Sequence, residues 1–133
     1  MIVIDASALA AYSLREDGSE PIRILLERGI ASIDLVVKES CNVVLLAHRR
    51  GLINVEQSRK ALKVVLMLAD TNVKMYQQKE LMGDAFRIAS ENGVTIYDAL
   101  YLALAKRLGA TLLSRDAQQI EVAKRVGVKT VPF

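Results

Sequence analysis

Five short apolar runs recur along the chain. Between them lie longer stretches in which apolar residues return every third or fourth position. Ile2 to Ile4 is the first run. It is continuous rather than alternating, which predicts a strand buried on both faces. Ala110 to Leu113 reads as a strand, Ala31 to Ile33 and Val73 to Met75 are further short strand candidates, and Val128 to Val131 is the last, which Pro132 is expected to stop. The periodic stretches predict helices over 8–14, 21–28, 34–50, 54–70, 77–91, 96–108 and 116–126. Gly29, Gly51, Gly93, Gly109 and Gly127 close five of these, while Asp34, Asn54 and Thr95 are read as N-caps. Helices alternating with buried strands point to an α/β domain with a parallel sheet and helices on both faces. The helices at 34–50 and 54–70 have no strand between them, so an antiparallel pair is expected. Ala61 to Ala69 is apolar on nearly all sides, broken only by Lys63. That predicts deep burial there, or a surface for self-association or a partner.

Four carboxylates fit this pattern badly. Asp5 ends the first apolar run, and Asp116 follows the run Ala110 to Leu113. Both would lie at the carboxyl edge of a parallel sheet, where open α/β folds bind ligands. Asp98 opens an apolar helix in Thr95-Ile96-Tyr97-Asp98-Ala99-Leu100. Glu39 interrupts the stripe Leu35, Glu39, Asn42, Val43, Leu46. Each has a plain alternative. Asp5 and Asp116 can cap the helices that follow them, and Thr95 with Asp98 resembles a capping box. Glu39 stands at an edge if the core face is instead Val36, Val37, Ser40, Val44 and Ala47. Together the four would crowd one cleft. Like charges so close need protons or a cation, and oxygen-only donors favour a hard ion such as Mg²⁺ or Mn²⁺.

With 133 residues and 52% hydrophobic composition, a single domain over 1–133 with a substantial core is expected. The net charge of +3 permits an anionic partner without establishing one. Basic residues gather at His48-Arg49-Arg50, Arg59-Lys60 and Lys63, either a solvated corner or a phosphate contact. Cys41 is the sole cysteine, which suits a reducing compartment. Nothing resembling a signal peptide precedes Ile2, and no apolar stretch is long enough for a bilayer. A cytoplasmic protein with no membrane association is expected.

The order of these motifs resembles the PIN-domain family over essentially the whole chain, and most closely its VapC toxin branch. Ile2-Val3-Ile4-Asp5-Ala6-Ser7-Ala8-Leu9 is similar to the first family motif. Glu39-Ser40-Cys41-Asn42-Val43-Val44 resembles the second, and Tyr97-Asp98-Ala99-Leu100-Tyr101-Leu102-Ala103-Leu104-Ala105 the third. Leu112-Leu113-Ser114-Arg115-Asp116 resembles the fourth, with Ser114 where Thr is usual. The resemblance implies a three-layer sandwich of about five short parallel strands flanked by helices. It implies a Mg²⁺- or Mn²⁺-dependent endoribonuclease with Asp5, Glu39, Asp98 and Asp116 as metal-holding acids. Ser114 would orient water or a carboxylate, and Ser7 and Asn42 would support the acids. It also implies a cognate antitoxin that places a basic side chain in the cleft, and a homodimer or dimer of dimers.

Two further readings stay open. One is a PIN-like module that binds RNA or protein without cutting. The other is a phosphotransfer receiver or phosphatase, which would want an Asp-x-Asp after the first strand, where Ser7 stands instead. Neither G-x-G-x-x-G nor a P-loop is present. Arg15, Arg49, Arg50 and Arg115 are candidates for holding flanking phosphates. His48, the one histidine, is expected in solvent, and Cys41 is expected to pack.

Overall fold

The computed structural model describes residues 1–131; Pro132, expected to stop the last strand, lies outside them. The strands are β1 (Ile2–Ile4), β2 (Ile30–Ile33), β3 (Val73–Tyr76), β4 (Thr111–Leu113) and β5 (Thr130–Val131). The helices are α1 (Ala6–Ser13), α2 (Ile22–Glu27), α3 (Leu35–Arg49), α4 (Val55–Thr71), α5 (Met82–Asn92), α6 (Ile96–Leu108) and α7 (Ala117–Arg125). A 3₁₀ turn, Gln78–Leu81, precedes α5.

All strand pairs are parallel, in the order β3-β2-β1-β4-β5. Ile4 lies opposite Leu113, and Val3 opposite Ala31. The chain steps outward from β1 through β2 to β3, then returns to the other side of β1. Right-handed crossovers therefore put α1 to α4 on one face and α5 to α7 on the other. The reversal falls between β1 and β4. Their carboxyl ends form the switch point at which such sheets bind ligands.

Short strands suffice because the central ones are covered on both sides. Val3, Ile4, Leu112 and Leu113 are fully buried. So is every residue from Ala99 to Ala105 in α6, which packs on β1, β2 and β4 as well as on α5. This helix is apolar all round because it is enclosed all round. The deep burial expected of Ala61 to Ala69 occurs here instead. In α4 only Ala61, Val65 and Leu68 are buried, while Leu62, Leu66 and Met67 stay exposed.

Local chemistry accounts for other boundaries. Asn54 and Gln57 form a reciprocal capping box at the start of α4. Gly109 ends α6 in the left-handed conformation, with φ of 60°. Asp34, read from the sequence as the cap of α3, makes no such bond. Its Oδ1 accepts the Gln78 backbone N–H at 3.0 Å instead. That long-range bond holds Gln78 in a tight turn, so the helix expected from residue 77 begins at Met82. Among the described residues no helix is long and apolar enough to cross a membrane.

Candidate active site

The carboxyl ends of β1 and β4 are tied together first through the backbone: Asp5 N–H donates to the Leu113 carbonyl at 3.1 Å. The chain then leaves each strand into a helix, and each exit is capped by the acid that stands there. Asp5 Oδ1 accepts the Ala8 N–H at 3.1 Å. Asp116 Oδ1 accepts the N–H groups of Gln118 and Gln119 at 2.8 and 3.1 Å. The capping reading of both residues is therefore correct, and it does not compete with a role in a site. Capping fixes where the carboxylate points.

Two serines lock this edge. Ser7 Oγ donates to Asp5 Oδ1 at 2.6 Å and accepts the Arg115 N–H at 2.8 Å. Ser114, almost wholly buried, accepts the Asp116 N–H at 3.1 Å and meets Ser7 Oγ at 3.2 Å. Ser114 thus orients Asp116 through its backbone.

Asp98 and Glu39 arrive from helices. Thr95 caps α6, accepting the Asp98 N–H at 3.2 Å. Glu39 stands at the edge of α3. Besides Leu35, the buried residues of that helix are Val36, Ser40 and Val44, from the alternative face weighed above; Asn42 and Val43 are exposed, so Glu39 does not interrupt a buried stripe. A single cleft of about 210 Å³ is lined by Asp5, Ser7, Glu39, Asn42, Asp98, Tyr101 and Asp116. The four acids meet there.

Three of these acids are raised, burial being the first cause in each. Burial pushes the Asp5 carboxyl up to about 6, against the lowering effect of its Ser114, Ser7 and Ala8 hydrogen bonds; the Asp116 charge adds to the rise. Burial also raises Asp98, followed by the Asp116 charge. Glu39 is raised by burial and by the Asp98 charge, against the Tyr101 hydrogen bond. Like charges that perturb one another in this chain share a field.

The donor set is all oxygen, which fits a hard divalent cation. Among the described residues, however, no three acidic, histidine or cysteine side chains are gathered closely enough to hold an ion as they stand. A Mg²⁺-type ion keeps several waters and takes few protein oxygens, so an open cleft of acids suits it better than a tight cage.

Two residues of the site were not picked out from sequence. Tyr101, only 1% exposed, donates its O–H to Glu39 Oε1 at 2.6 Å. It lies three residues after Asp98 on the same helix, so the i, i+3 spacing was the available signal. Burial, then Glu39, drives the Tyr101 phenol far upward, and it stays a donor. Gln119, also buried, donates from Nε2 to the Asp98 carbonyl at 3.0 Å. With its own N–H on Asp116, it couples the first turns of α6 and α7. Its Oε1 has no partner among the described residues.

Tyr101→Phe tests the Glu39 contact. Losing a hydrogen bond to a half-exposed carboxylate should cost about 1 kcal/mol of unfolding free energy. Urea titration at about pH 8 reads it, and the cost should shrink at about pH 4 as Glu39 protonates. A variant as stable as the parent at both would leave Tyr101 a packing residue.

The basic candidates fare differently. Arg115 is bound to Glu16 at 3.7 Å and to the Asp17 carbonyl at 2.9 Å, holding the loop after α1. Arg15 lies past the far end of α1 and lines a separate hollow. Arg49 and Arg50 stand about 15 Å of helix rise beyond Glu39. None of the four lines the cleft. Lys38, which the sequence reading passed over, lines a groove bordering it. His48 is half-buried rather than in solvent. Cys41 packs partly against the core as expected, its thiol pushed up by burial.

The family model for the PIN domain matches residues 2–125. Ribonuclease VapC3 of Pyrobaculum aerophilum is 34% identical over 122 residues, which cover 90% of this chain and 92% of the relative. The crystal structure of PAE2754 from the same organism superposes with a TM-score of 0.70 at 25% identity, over 98% of this chain and 88% of the other. VapBC2 from Rickettsia felis, solved bound to a DNA fragment from its promoter, has a TM-score of 0.65 at 18% identity, over 100% of this chain and 99% of the other.

Proposed function

Since the chain belongs to the PIN-domain family, we propose that it is a divalent-metal-dependent endoribonuclease, the toxin of a VapBC-type toxin–antitoxin pair. The observation that carries the reading is one cleft, at the switch point of a parallel sheet, lined by Asp5, Glu39, Asp98 and Asp116. The similarity to a relative named as a VapC ribonuclease gives the substrate class.

The reaction is hydrolysis of an RNA phosphodiester. The oxygen of water bonds to phosphorus, the ester P–O bond breaks, and the departing oxygen takes up a proton. A bare acidic cleft repels the RNA backbone. Asp5, Glu39, Asp98 and Asp116 would hold Mg²⁺ or Mn²⁺, which supplies positive charge for the phosphate and acidifies a water. The chain does the rest. Ser7 and the Ala8 N–H fix the Asp5 carboxylate. Ser114 and the first turn of α7 fix Asp116. Tyr101 holds one oxygen of Glu39 and so turns that side chain toward the others.

The antitoxin and a homodimer or dimer of dimers belong to the same proposal. Support comes from similarity to a VapBC2 chain and from exposed apolar side chains on α4, Leu62, Leu66 and Met67. A non-cleaving RNA- or protein-binding module would have little use for a complete set of acids in one cleft.

The test is cleavage of an end-labelled single-stranded RNA with Mn²⁺, with Mg²⁺ and with EDTA. Internal fragments are expected with either metal and none with EDTA. Cleavage that persists in EDTA would falsify the metal-dependent reading, and one-nucleotide ladders would replace endo- by exonucleolytic cutting.

A further inference from the structure

Beside the acidic cleft runs a second groove of about 490 Å³, lined by Leu35, Lys38, Cys41, Asn42, Leu45 and Tyr97, and by Glu39, which it shares with the cleft. Asn42 also faces both hollows. We propose that this groove is a nucleotide subsite: one base next to the scissile phosphate stacks on Tyr97 over the apolar floor, and Lys38 meets that nucleotide's backbone phosphate. The proposal rests on the nuclease reading and gives it a specific binding element.

Three features point to a nucleotide. Tyr97 is 54% exposed in the first turn of α6, just ahead of the buried run Ala99 to Ala105, so much of its ring is open to solvent. An exposed aromatic face beside a phosphate-handling site is what single-strand binding surfaces offer to bases. Lys38 has no ion-pair partner among the described residues, so its charge is available. The third feature is continuity. Glu39 and Asn42 line both hollows, so a strand leaving the cleft passes directly into the groove. The four arginines considered for this duty lie elsewhere, which leaves Lys38 as the cation at this rim.

A second copy of this chain is the competing occupant. A second copy carries the same net charge of +3 and so offers Lys38 no overall electrostatic attraction. A phosphate offers it.

The experiment uses the full chain, a short unstructured RNA, and the same RNA with an abasic position beside the cut. Tyr97→Ala should raise KM on the intact RNA about tenfold, the scale of one lost stacking contact, with kcat little changed. Tyr97→Phe should restore the parent value. On abasic RNA the parent should show the same loss, and Tyr97→Ala no further one. Lys38→Ala should lower the slope of log affinity against log salt by about 0.7. Unchanged KM in Tyr97→Ala overturns the proposal. So does a drop in particle mass on light scattering with KM unchanged, because the groove is then a self-contact. If the parent cuts no RNA, the nuclease reading fails on its own, and fluorescence anisotropy judges the groove. Preference for intact over abasic RNA, lost in Tyr97→Ala, then supports the subsite. Equal binding overturns it.

Discussion

Asp5→Asn should cripple RNA cleavage and make the metal-free protein more stable. The two effects have opposite signs because the same burial produces both. Asp5 is 4% exposed, and burial holds its carboxyl at about 6 instead of 3.8. Keeping it ionised at neutral pH therefore costs about 3 kcal/mol, at roughly 1.4 kcal/mol per pH unit. Asparagine removes that charge. It retains an oxygen to cap the Ala8 N–H and to accept from Ser7, so the local fold persists. The melting temperature in EDTA at about pH 8 should rise by on the order of 5–10 °C. Cleavage in Mn²⁺ should fall at least about a hundredfold, the scale of losing one electrostatic element of an active site. Circular dichroism melts and a gel assay on one preparation read both numbers. A variant that loses activity and stability together would make Asp5 a structural cap and leave the site without its central acid.

The trade explains which parts of the molecule can be read from its sequence. Strands β1 and β4 are continuous apolar runs because helices cover both faces, and the run itself is the signal. Asp5 and Asp116 stand directly after those runs, so their place at the sheet edge follows from chain order. Tyr101 and Gln119 follow no such run. One reaches Glu39 across 62 residues of sequence and the other reaches Asp98 across 21. Contacts of that range depend on helix packing angles that local periodicity does not encode. Asp34 shows the same limit from the other side. By position it is an N-cap, yet a strand-to-strand neighbour brings Gln78 within reach and takes its carboxylate. The face of α3 is open to two readings for a related reason. Two stripes were both plausible, and only the position of α1 and α4 against the helix decides that Val36, Ser40 and Val44 go inward. For α4, apolar residues on nearly every side leave burial and an outward contact surface equally open. Exposed Leu62, Leu66 and Met67 show that a helix can carry apolar surface for a contact outside its own fold.

Mn²⁺ should stabilise the parent at about pH 8 and much less at about pH 5, because protons and the cation would compete for the same oxygens. The sign follows from the direction of the shifts. Asp5 has a folded value of about 6 against 3.8 when unfolded. Between those values the folded state binds more protons, so the metal-free protein loses stability as pH rises through the window and stays at the lower level above it. Glu39 and Asp98, both raised, act in the same sense. A cation bound only by the folded state reverses the loss where the acids are ionised, adding about 2.7 kcal/mol at a hundredfold excess over its Kd. Thermal melts with Mn²⁺ and with EDTA at the two pH values give four midpoints. The gap between Mn²⁺ and EDTA should be wide at the higher pH, narrow at the lower, and absent at both in Asp98→Asn/Asp116→Asn. Equal gaps in parent and variant would mean that Mn²⁺ binds elsewhere. The acids would then be a cluster that protons alone relieve, since repulsion within it is present whether or not a metal ever arrives.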